Sequence, residues 1–205
     1  MSSWQMTRIG EAPTPVLSLE EARLHLRVSA AVTPMPPHPD DPLIRVFVAT
    51  ATGDIDGIDG WLGRALVTQS WRLTLDAFPA GAIKLPLPPL QAVERIAYVP
   101  PGGAEITLPA SAYRVLTWDS DPGQVEPVYG TAWPAVRRQS AAVTIEYTCG
   151  FGDPADVPDP IRSYIRLRLG QLYENRELVA IGVTIAEIPH LVGNLDSFRR
   201  SVRPI

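Results

Sequence analysis

The chain has 205 residues and a mass of 22.3 kDa, which allows one domain or two small ones with a buried core. Apolar residues make up 45% and charged residues 20%, a composition that excludes a chain disordered along its whole length. The net charge of −4 excludes a general attraction to nucleic acid or to anionic lipid. The 22 prolines argue against a mostly helical protein, because proline breaks helices.

A capping signal predicts the first helix. Ser18 and Glu21 have the spacing of a capping box, in which each side chain satisfies a backbone amide at the start of a helix. The helix is expected to continue to about Val28. A proline-rich linker follows at residues 29–40, because its prolines remove hydrogen-bond donors and clash with a preceding helical turn.

A second helix is predicted after the linker. Asp41 is a suitable N-cap and Pro42 suits the first helical position. Apolar residues then recur every three or four positions as far as Leu62, which predicts an amphipathic helix over that span. Three glycines weaken its intrinsic stability by about 1 kcal/mol each relative to alanine, so the helix is expected to depend on tertiary packing. They are Gly53, Gly57 and Gly60.

The apolar period changes to two in the middle of the chain. The stretches "WRLTLDAF" and "AVTIEYT" alternate apolar with polar residues, as half-buried strands do. Turn signals such as "PPGG" and "SDPG" separate shorter candidate strands between them. The middle therefore predicts an antiparallel sheet module of six or seven strands. The shorter candidates lie near Ile83 to Leu87, Val93 to Val99, Glu105 to Leu108, Tyr113 to Leu116 and Gln124 to Pro127.

Helix is predicted again near the C-terminal end. Asp159 and Pro160 suit the cap and first position of a long helix, and Pro189 to Arg199 suits a short last one. The expected fold class is α+β, with a small helical bundle from the N- and C-terminal helices and an antiparallel β module inserted between the second and third helices. The expected divisions are 1–66 for the first part of the helical domain, 67–157 for the β module and 158–205 for the last helices and tail.

Sequence motifs give no support to catalysis or metal binding. The string "DIDGIDG" begins at Asp54 like a calcium loop, but Ile58 and Ala65 stand where an EF-hand needs oxygen ligands. Solvent-facing aspartates are the preferred interpretation. The three histidines lack metal-binding spacing, and no nucleophile-elbow, P-loop or dinucleotide motif occurs. We therefore predict a protein that is not an enzyme, with no catalytic residue, cofactor or metal.

The single cysteine and the length of the apolar runs bear on where in the cell the protein is expected. Cys149 excludes an internal disulfide, and its place beside an apolar alternation favours a small buried side chain. No apolar run approaches the roughly 18 residues that a membrane-spanning helix needs, and the first residues lack the pattern of a signal peptide. We expect a cytosolic protein without membrane contact.

Charged residues of the last long helix are candidates for contacts with other molecules. Arg162, Arg166 and Arg168 either form a solvated helix face or face a channel or a partner. The string "YENRE" ends the helix beyond its apolar stripe and flanks no histidine, metal ligand or phosphate loop. A contact between subunits is the preferred interpretation of that string, and simple solvation is the alternative. The contact residues would be Tyr173, Glu174, Arg176 and Glu177.

The order of these segments resembles a known family. The strings "GRALVTQSWRLTLDAFP", "LPLPPLQAVERIAYV" and "LYENRE", in this order and spacing, resemble the head-tail connector, or adaptor, proteins of tailed siphophages and related gene transfer agents. The likeness runs from about Leu17 to Arg200, and the inserted sheet resembles the larger variety of these adaptors. The linker departs from the pattern, because it is longer and richer in proline than the short acidic turn expected there.

The resemblance implies a structural protein of the virion. Its helices would form a homo-oligomeric ring of about twelve copies under the portal, since ring symmetry follows the portal. The ring would complete the head at the capsid-tail junction after assembly in the bacterial host cytoplasm and extend the DNA channel. Packaged double-stranded DNA would pass through without specific binding, and a stopper, next connector or tail protein would bind below. The tail residues implied to bind the portal are Phe198, Arg199, Arg200, Val202, Arg203 and Ile205.

Two other functions stay open at the level of sequence. A tail-completion or tail-terminator protein would bind the tail tube instead of the portal. A carbohydrate-binding module would use Tyr129, Trp133 and Trp118 as a sugar platform, although aromatic residues on short strands more often belong to a core.

Overall fold

The computed structural model describes residues 4–28, 36–118, 122–175 and 195–199. Within these ranges the fold is α+β with antiparallel sheets, as the sequence predicted. Its α-helices are α1 (Leu19–Leu26), α2 (Asp41–Gly53) and α3 (Asp159–Glu174). Its strands are β1 (Trp4–Ile9), β2 (Gln69–Leu75), β3 (Ile83–Lys84), β4 (Leu90–Tyr98), β5 (Ile106–Thr107), β6 (Tyr113–Leu116), β7 (Gln124–Pro127) and β8 (Val143–Cys149).

The strands form two antiparallel sheets around one apolar core. The larger sheet has the order β1-β2-β8-β4-β5 and the smaller one the order β3-β7-β6. Buried and less buried residues alternate along β2 and β8, which is the period of two seen in the sequence. Leu73 and Ile145 of the larger sheet and Ile83 and Val125 of the smaller one belong to the same buried cluster. The two sheets therefore pack face to face.

Strand β1 is an element that the sequence analysis did not predict. It pairs along its whole length with β2, from Trp4 opposite Leu75 to Ile9 opposite Ser70. Trp4 and Met6 pack against the sheet core. The strand therefore covers what would otherwise be an open edge of β2, and the larger sheet takes one strand from before the first helix.

The first helix follows its sequence signal closely. The Ser18 hydroxyl accepts a hydrogen bond from the Glu21 amide at 3.1 Å, and the Glu21 carboxylate accepts one from the Ser18 amide at 3.0 Å. Both halves of the capping box are present. Helix α3 begins at Asp159, one position earlier than expected, because Pro158 is its N-cap.

The second helix is shorter than predicted. It ends at Gly53, and the chain between Asp54 and Arg64 folds into a compact loop in place of the helix expected to reach Leu62. The Trp61 amide donates to the Asp54 carbonyl at 3.0 Å, and the Gly57 amide donates to the Arg64 carbonyl at 2.7 Å. The helical period misled because Ile55 and Leu62 are buried, as predicted, but reach the core through turns.

The three helices pack on one another around a second apolar core. Ile44 and Val48 of α2 and Ile161 and Ile165 of α3 are central members, and Leu195 joins them from near the C-terminal end. Of the last short helix expected at Pro189 to Arg199, the described residues contain only a single 3₁₀ turn, Asp196–Phe198. No helix among the described residues is long and apolar enough to span a membrane.

Candidate assembly surfaces

The arginines of α3 that were candidates for a partner face are engaged within the subunit. Arg162 donates from Nη2 to Oε1 of Glu21 on α1 at 2.5 Å, and Arg166 lies 3.8 Å from the same oxygen. Arg168 donates from Nε to Oδ2 of Asp54, just beyond α2, at 2.9 Å. All three therefore link α3 to the other helices, and a channel or partner role for them stays a prediction.

The shared carboxylate of Glu21 is held in its charged form. Partial burial by itself would raise the pKa of Glu21, but hydrogen bonds from Ser18 and the charges of Arg162 and Arg166 outweigh it and lower the pKa below its ordinary value. Glu21 thus serves two structural tasks, as the cap of α1 and as the acidic partner of α3. Only the first task has a signal in the sequence, the spacing of Ser18 and Glu21.

A second ionic contact fixes the linker to the helices. Arg23 of α1 is 2% exposed, and its guanidinium pairs with the carboxylate of Asp41 and donates to the Pro36 carbonyl at 2.6 Å. Hydrogen bonding to Arg23 lowers the pKa of Asp41. The C-terminal end of the proline-rich linker is therefore tied to both α1 and the start of α2, a bond that the linker's sequence did not suggest.

The predicted subunit contact lies at the end of α3. Tyr173 is half-buried and donates from Oη to Oδ2 of Asp40 at 2.5 Å, which joins the end of α3 to the start of α2. Glu174 is exposed and available to a neighbour. Arg176 and Glu177 lie outside the described residues. The structure thus separates Tyr173, which bonds within the subunit, from Glu174, and the contact itself is still a prediction.

The start of the predicted portal-binding tail packs on its own subunit. Leu195 is 1% exposed in the helical core, and Phe198 packs against that core. The Phe198 carbonyl accepts a hydrogen bond from Nε of Arg64. The Arg199 guanidinium lies over the ring of Trp61, 5.0 Å from its centroid. Of the remaining tail candidates, Arg200, Val202, Arg203 and Ile205 lie outside the described residues.

The loop between α2 and β2 supplies the residues that bind the segment 195–199. Arg64 is 2% exposed, and its guanidinium also lies 5.7 Å from the centroid of the Phe151 ring. Gly60 is required here, because a Cβ at that position would lie 2.3 Å from the Asp56 carbonyl oxygen. The "DIDGIDG" string is therefore a structural loop, and its aspartates are not all solvent-facing as expected.

Asp56 is a half-buried acid in this loop. Its Oδ1 accepts hydrogen bonds from the Leu66 amide at 2.7 Å and from Nε2 of Gln69 at 3.2 Å. Loss of hydration nevertheless raises the pKa of Asp56 above its ordinary value. Asp54, in contrast, is exposed and pairs with Arg168. Asp56 thus orders the loop, and Asp54 holds α3.

A mostly apolar groove runs beside α2. Its volume is about 620 Å³, and Leu17, Val48 and Val67 line it together with prolines of the N-terminal segment. Arg45 and Asp56 supply charge to its walls. Most of the surface that lines the groove is apolar, as in a surface for packing.

Other candidate chemistry is absent from the part of the chain that the structure describes. No group of three or more histidine, cysteine or acidic side chains there could hold a metal ion. The Nδ1 atom of His38 accepts a hydrogen bond from the Asp40 amide, which is a local turn contact. Cys149 is buried in the sheet core, and burial raises the pKa of its thiol, which keeps the sulfur protonated and unreactive.

The three aromatic residues considered as a sugar platform differ in environment. Trp133 stacks on Phe78 with the ring centroids 4.8 Å apart, and its Nε1 donates to the Gly81 carbonyl at 2.8 Å. Tyr129 is 97% exposed and Trp118 is 42% exposed. Phe78 thus covers one face of the Trp133 ring, whereas Tyr129 and Trp118 are open to solvent, and the sugar platform stays a prediction.

Solved structures with a similar fold are known, although sequence comparisons found no match. Neither a protein-family model nor a curated protein sequence matches the chain. Among solved structures, a chain in the neck of an empty gene transfer agent (GTA) particle, computed with C6 symmetry, superposes with a TM-score of 0.75 at 22% identity, over 98% of this chain and 97% of that one. The two chains share one fold.

Two further GTA structures agree. A chain in the virion of a native GTA particle matches with a TM-score of 0.74 at 22% identity. A chain in the neck of a native GTA particle, computed with C12 symmetry, matches with a TM-score of 0.67 at 21% identity. Both matches cover 98% of this chain and 97% of the other. The likeness therefore includes both the helices and the sheets.

Proposed function

We propose that the protein is a structural component of a virion neck, a head-tail adaptor that joins the capsid to the tail. The observation that carries this proposal is the shared fold with neck chains of GTA particles over nearly the full length of both chains. Those necks were computed with C6 and C12 symmetry, which supports a ring of about twelve copies. The ring would lie under the portal and extend the DNA channel.

The proposed ring is built from the helical part of the subunit. The helices α1, α2 and α3 would act as one bundle, with the sheets supplied mainly by the chain between α2 and α3, and the expected divisions 1–66, 67–157 and 158–205 would describe it. A ring needs two different, complementary faces on each subunit. Glu174, with Arg176 and Glu177 beyond it, is proposed for one of them.

Internal ion pairing supports a stiff ring subunit. Arg162, Arg166 and Arg168 have acidic partners on or next to the other helices, so the helices are held at defined positions. The two carboxylates, Glu21 and Asp54, offset two of the three arginine charges, which weakens the attraction of this face to phosphate and suits a channel through which DNA slides. Packaged DNA is proposed to pass without specific binding.

The first test is the mass of the purified protein alone and mixed with its cognate portal, followed by negative-stain imaging of the mixture. A ring stacked on the portal is the expected result. A complex with the tail tube and none with the portal, at any salt concentration, would instead favour a tail-completion or tail-terminator protein. Binding in a glycan screen, with neither complex formed, would favour the carbohydrate-binding alternative.

A further inference from the structure

The segment between Leu195 and Arg199 is held at three successive points. Leu195 is buried in the helical core, the Phe198 carbonyl is bonded to Arg64, and Arg199 lies over Trp61. Two backbone hydrogen bonds close the turn between these points, from the Phe198 amide to the Leu195 carbonyl at 2.9 Å and from the Arg199 amide to the Asp196 carbonyl at 3.1 Å. The segment is thus fixed in both position and direction.

The receptor for this segment is itself preorganised. Trp61 and Arg64 belong to the loop that follows α2, and the backbone bond from Gly57 to Arg64 closes that loop. The half-buried carboxylate of Asp56 accepts a hydrogen bond from the amide of Leu66, two residues after Arg64. A buried guanidinium bonded to a main-chain carbonyl is sensitive to geometry but not to the side chain of the residue that supplies the carbonyl. Arg64 therefore recognises the path of the chain.

We propose that Trp61 and Arg64 form an anchor that sets the starting point and direction of the portal-binding tail. This inference rests on the proposed adaptor function. It assigns Phe198 and Arg199, which the family resemblance implied as portal contacts, to the base of the tail instead. Contact with the portal then begins after Arg199. Arg64 is a positioning residue in this arrangement, because its side chain is buried and acts on the tail through the Phe198 carbonyl.

The proposal has a physical advantage for assembly. Because residues 195–199 are already fixed before the portal binds, their ordering adds no further loss of conformational entropy on binding. In a ring, the same anchor repeats in every subunit and presents all the tails at the same height and angle. Releasing the anchor should therefore weaken portal binding even when every tail residue is intact.

The test uses four variants of the full chain. Arg64→Gln removes the charged donor, and Arg64→Lys keeps the charge without the planar fork. Arg199→Gln removes the cation that lies over Trp61, from an exposed position outside the core. Arg72→Gln, on an exposed face of the larger sheet, is the matched control. Hydrogen–deuterium exchange of the amides in residues 195–199 and co-sedimentation with the portal are measured for each, with ring mass and circular dichroism as checks of the fold.

The anchor predicts graded effects. Loss of a hydrogen bond to a charged group should speed exchange in residues 195–199 of Arg64→Gln by about tenfold or more, and loss of an exposed cation–π contact should speed it about two- to fivefold in Arg199→Gln. The exchange rate of Arg64→Lys should lie between those of Arg64→Gln and the unmodified chain. Portal affinity should fall in the same order, and Arg72→Gln should change neither quantity.

The outcomes separate this inference from the function on which it rests. Unchanged exchange in both Arg64→Gln and Arg199→Gln would overturn the anchor. Faster exchange with unchanged portal affinity would overturn its positioning role. A further variant lacking residues 200–205 keeps the anchor, so its exchange in residues 195–199 should be unchanged while portal binding is lost. If it binds the portal normally, the tail's proposed contact fails, whereas the exchange data still test the anchor.

Discussion

Replacing Glu21 by glutamine removes the acidic partner of Arg162 and leaves the shape of the side chain nearly unchanged. Glutamine also serves at the third position of a capping box, so the cap of α1 is retained. The substitution therefore isolates the ionic contact between α1 and α3. A loss of stability would assign Arg162 to holding the helices together.

The expected loss follows from the exposure of the two partners. The side chain of Arg162 is 14% exposed and that of Glu21 is 38% exposed. Exposed ion pairs contribute about 0–1 kcal/mol because solvent screens them, whereas removing one partner of a buried pair costs about 3–5 kcal/mol. The burial of the Arg162–Glu21 pair is intermediate, and the exposure of Glu21 brings its expected contribution closer to that of an exposed ion pair. We expect Glu21→Gln to lower the free energy of unfolding by about 1–2 kcal/mol at neutral pH.

Urea denaturation followed by circular dichroism measures this loss. Glu105→Gln is the matched control, since the Arg95–Glu105 pair has a similar 2.5 Å contact but is 39% and 51% exposed. Its loss should stay below about 0.5 kcal/mol. An equal loss in the two variants would refute the argument that burial decides the strength of the contact.

The same contact predicts a dependence on pH. The pKa of Glu21 is lower in the folded protein than in the unfolded chain, so its contribution is present above the unfolded value of about 4.3 and is lost as the pH falls through the folded value. The stabilities of the unmodified chain and Glu21→Gln should therefore converge in acid. A difference that persists well below the folded pKa would mean that shape, and not charge, carries the effect.

Three other outcomes are expected. Arg176→Ala should weaken ring or virion assembly while leaving the monomer folded, as ultracentrifugation and circular dichroism can show; unchanged assembly would remove Arg176 from the contact. Gly150→Ala should cost at least about 2 kcal/mol in denaturant unfolding, because its φ of +119° is unfavourable for alanine and the new Cβ would lie 2.2 Å from the Val67 carbonyl oxygen. Gly130→Ala, at φ +80° with no atom within 4 Å, should cost less, and equal losses would contradict the clash. Burial raises the pKa of the Cys149 thiol, so a thiol reagent should react only on unfolding, and rapid labelling of the native protein would count against this.

Local signals in the sequence predicted local structure well. The capping box at Ser18 and Glu21 and the alternation of β2 and β8 depend on neighbouring residues, and each is present where it was expected. The loop after α2 was misread because burial of Ile55 and Leu62 satisfies a helical spacing without a helix. Apolar period reports which residues are buried, but not the backbone path that buries them.

Long-range contacts were beyond the sequence signals. Glu21 and Arg162 are 141 positions apart, and Arg64 and Phe198 are 134 apart, so no spacing rule connects them. The α3 arginines looked like a free basic face because their acidic partners lie on other segments. Strand β1 was missed for a related reason. Which of its residues face the core is decided only by its pairing with β2.

The pairing of β1 with β2 also bears on how the subunit is made. Both α1 and α2 lie in the chain that separates the two strands, so the edge of the larger sheet closes only after a long excursion through the helical part. Contacts between distant segments form slowly during folding. Until Trp4–Ile9 docks, β2 presents unpaired backbone groups that can template pairing with another chain. For a protein proposed to assemble in about twelve copies, we expect the N-terminal strand to protect against aggregation during synthesis.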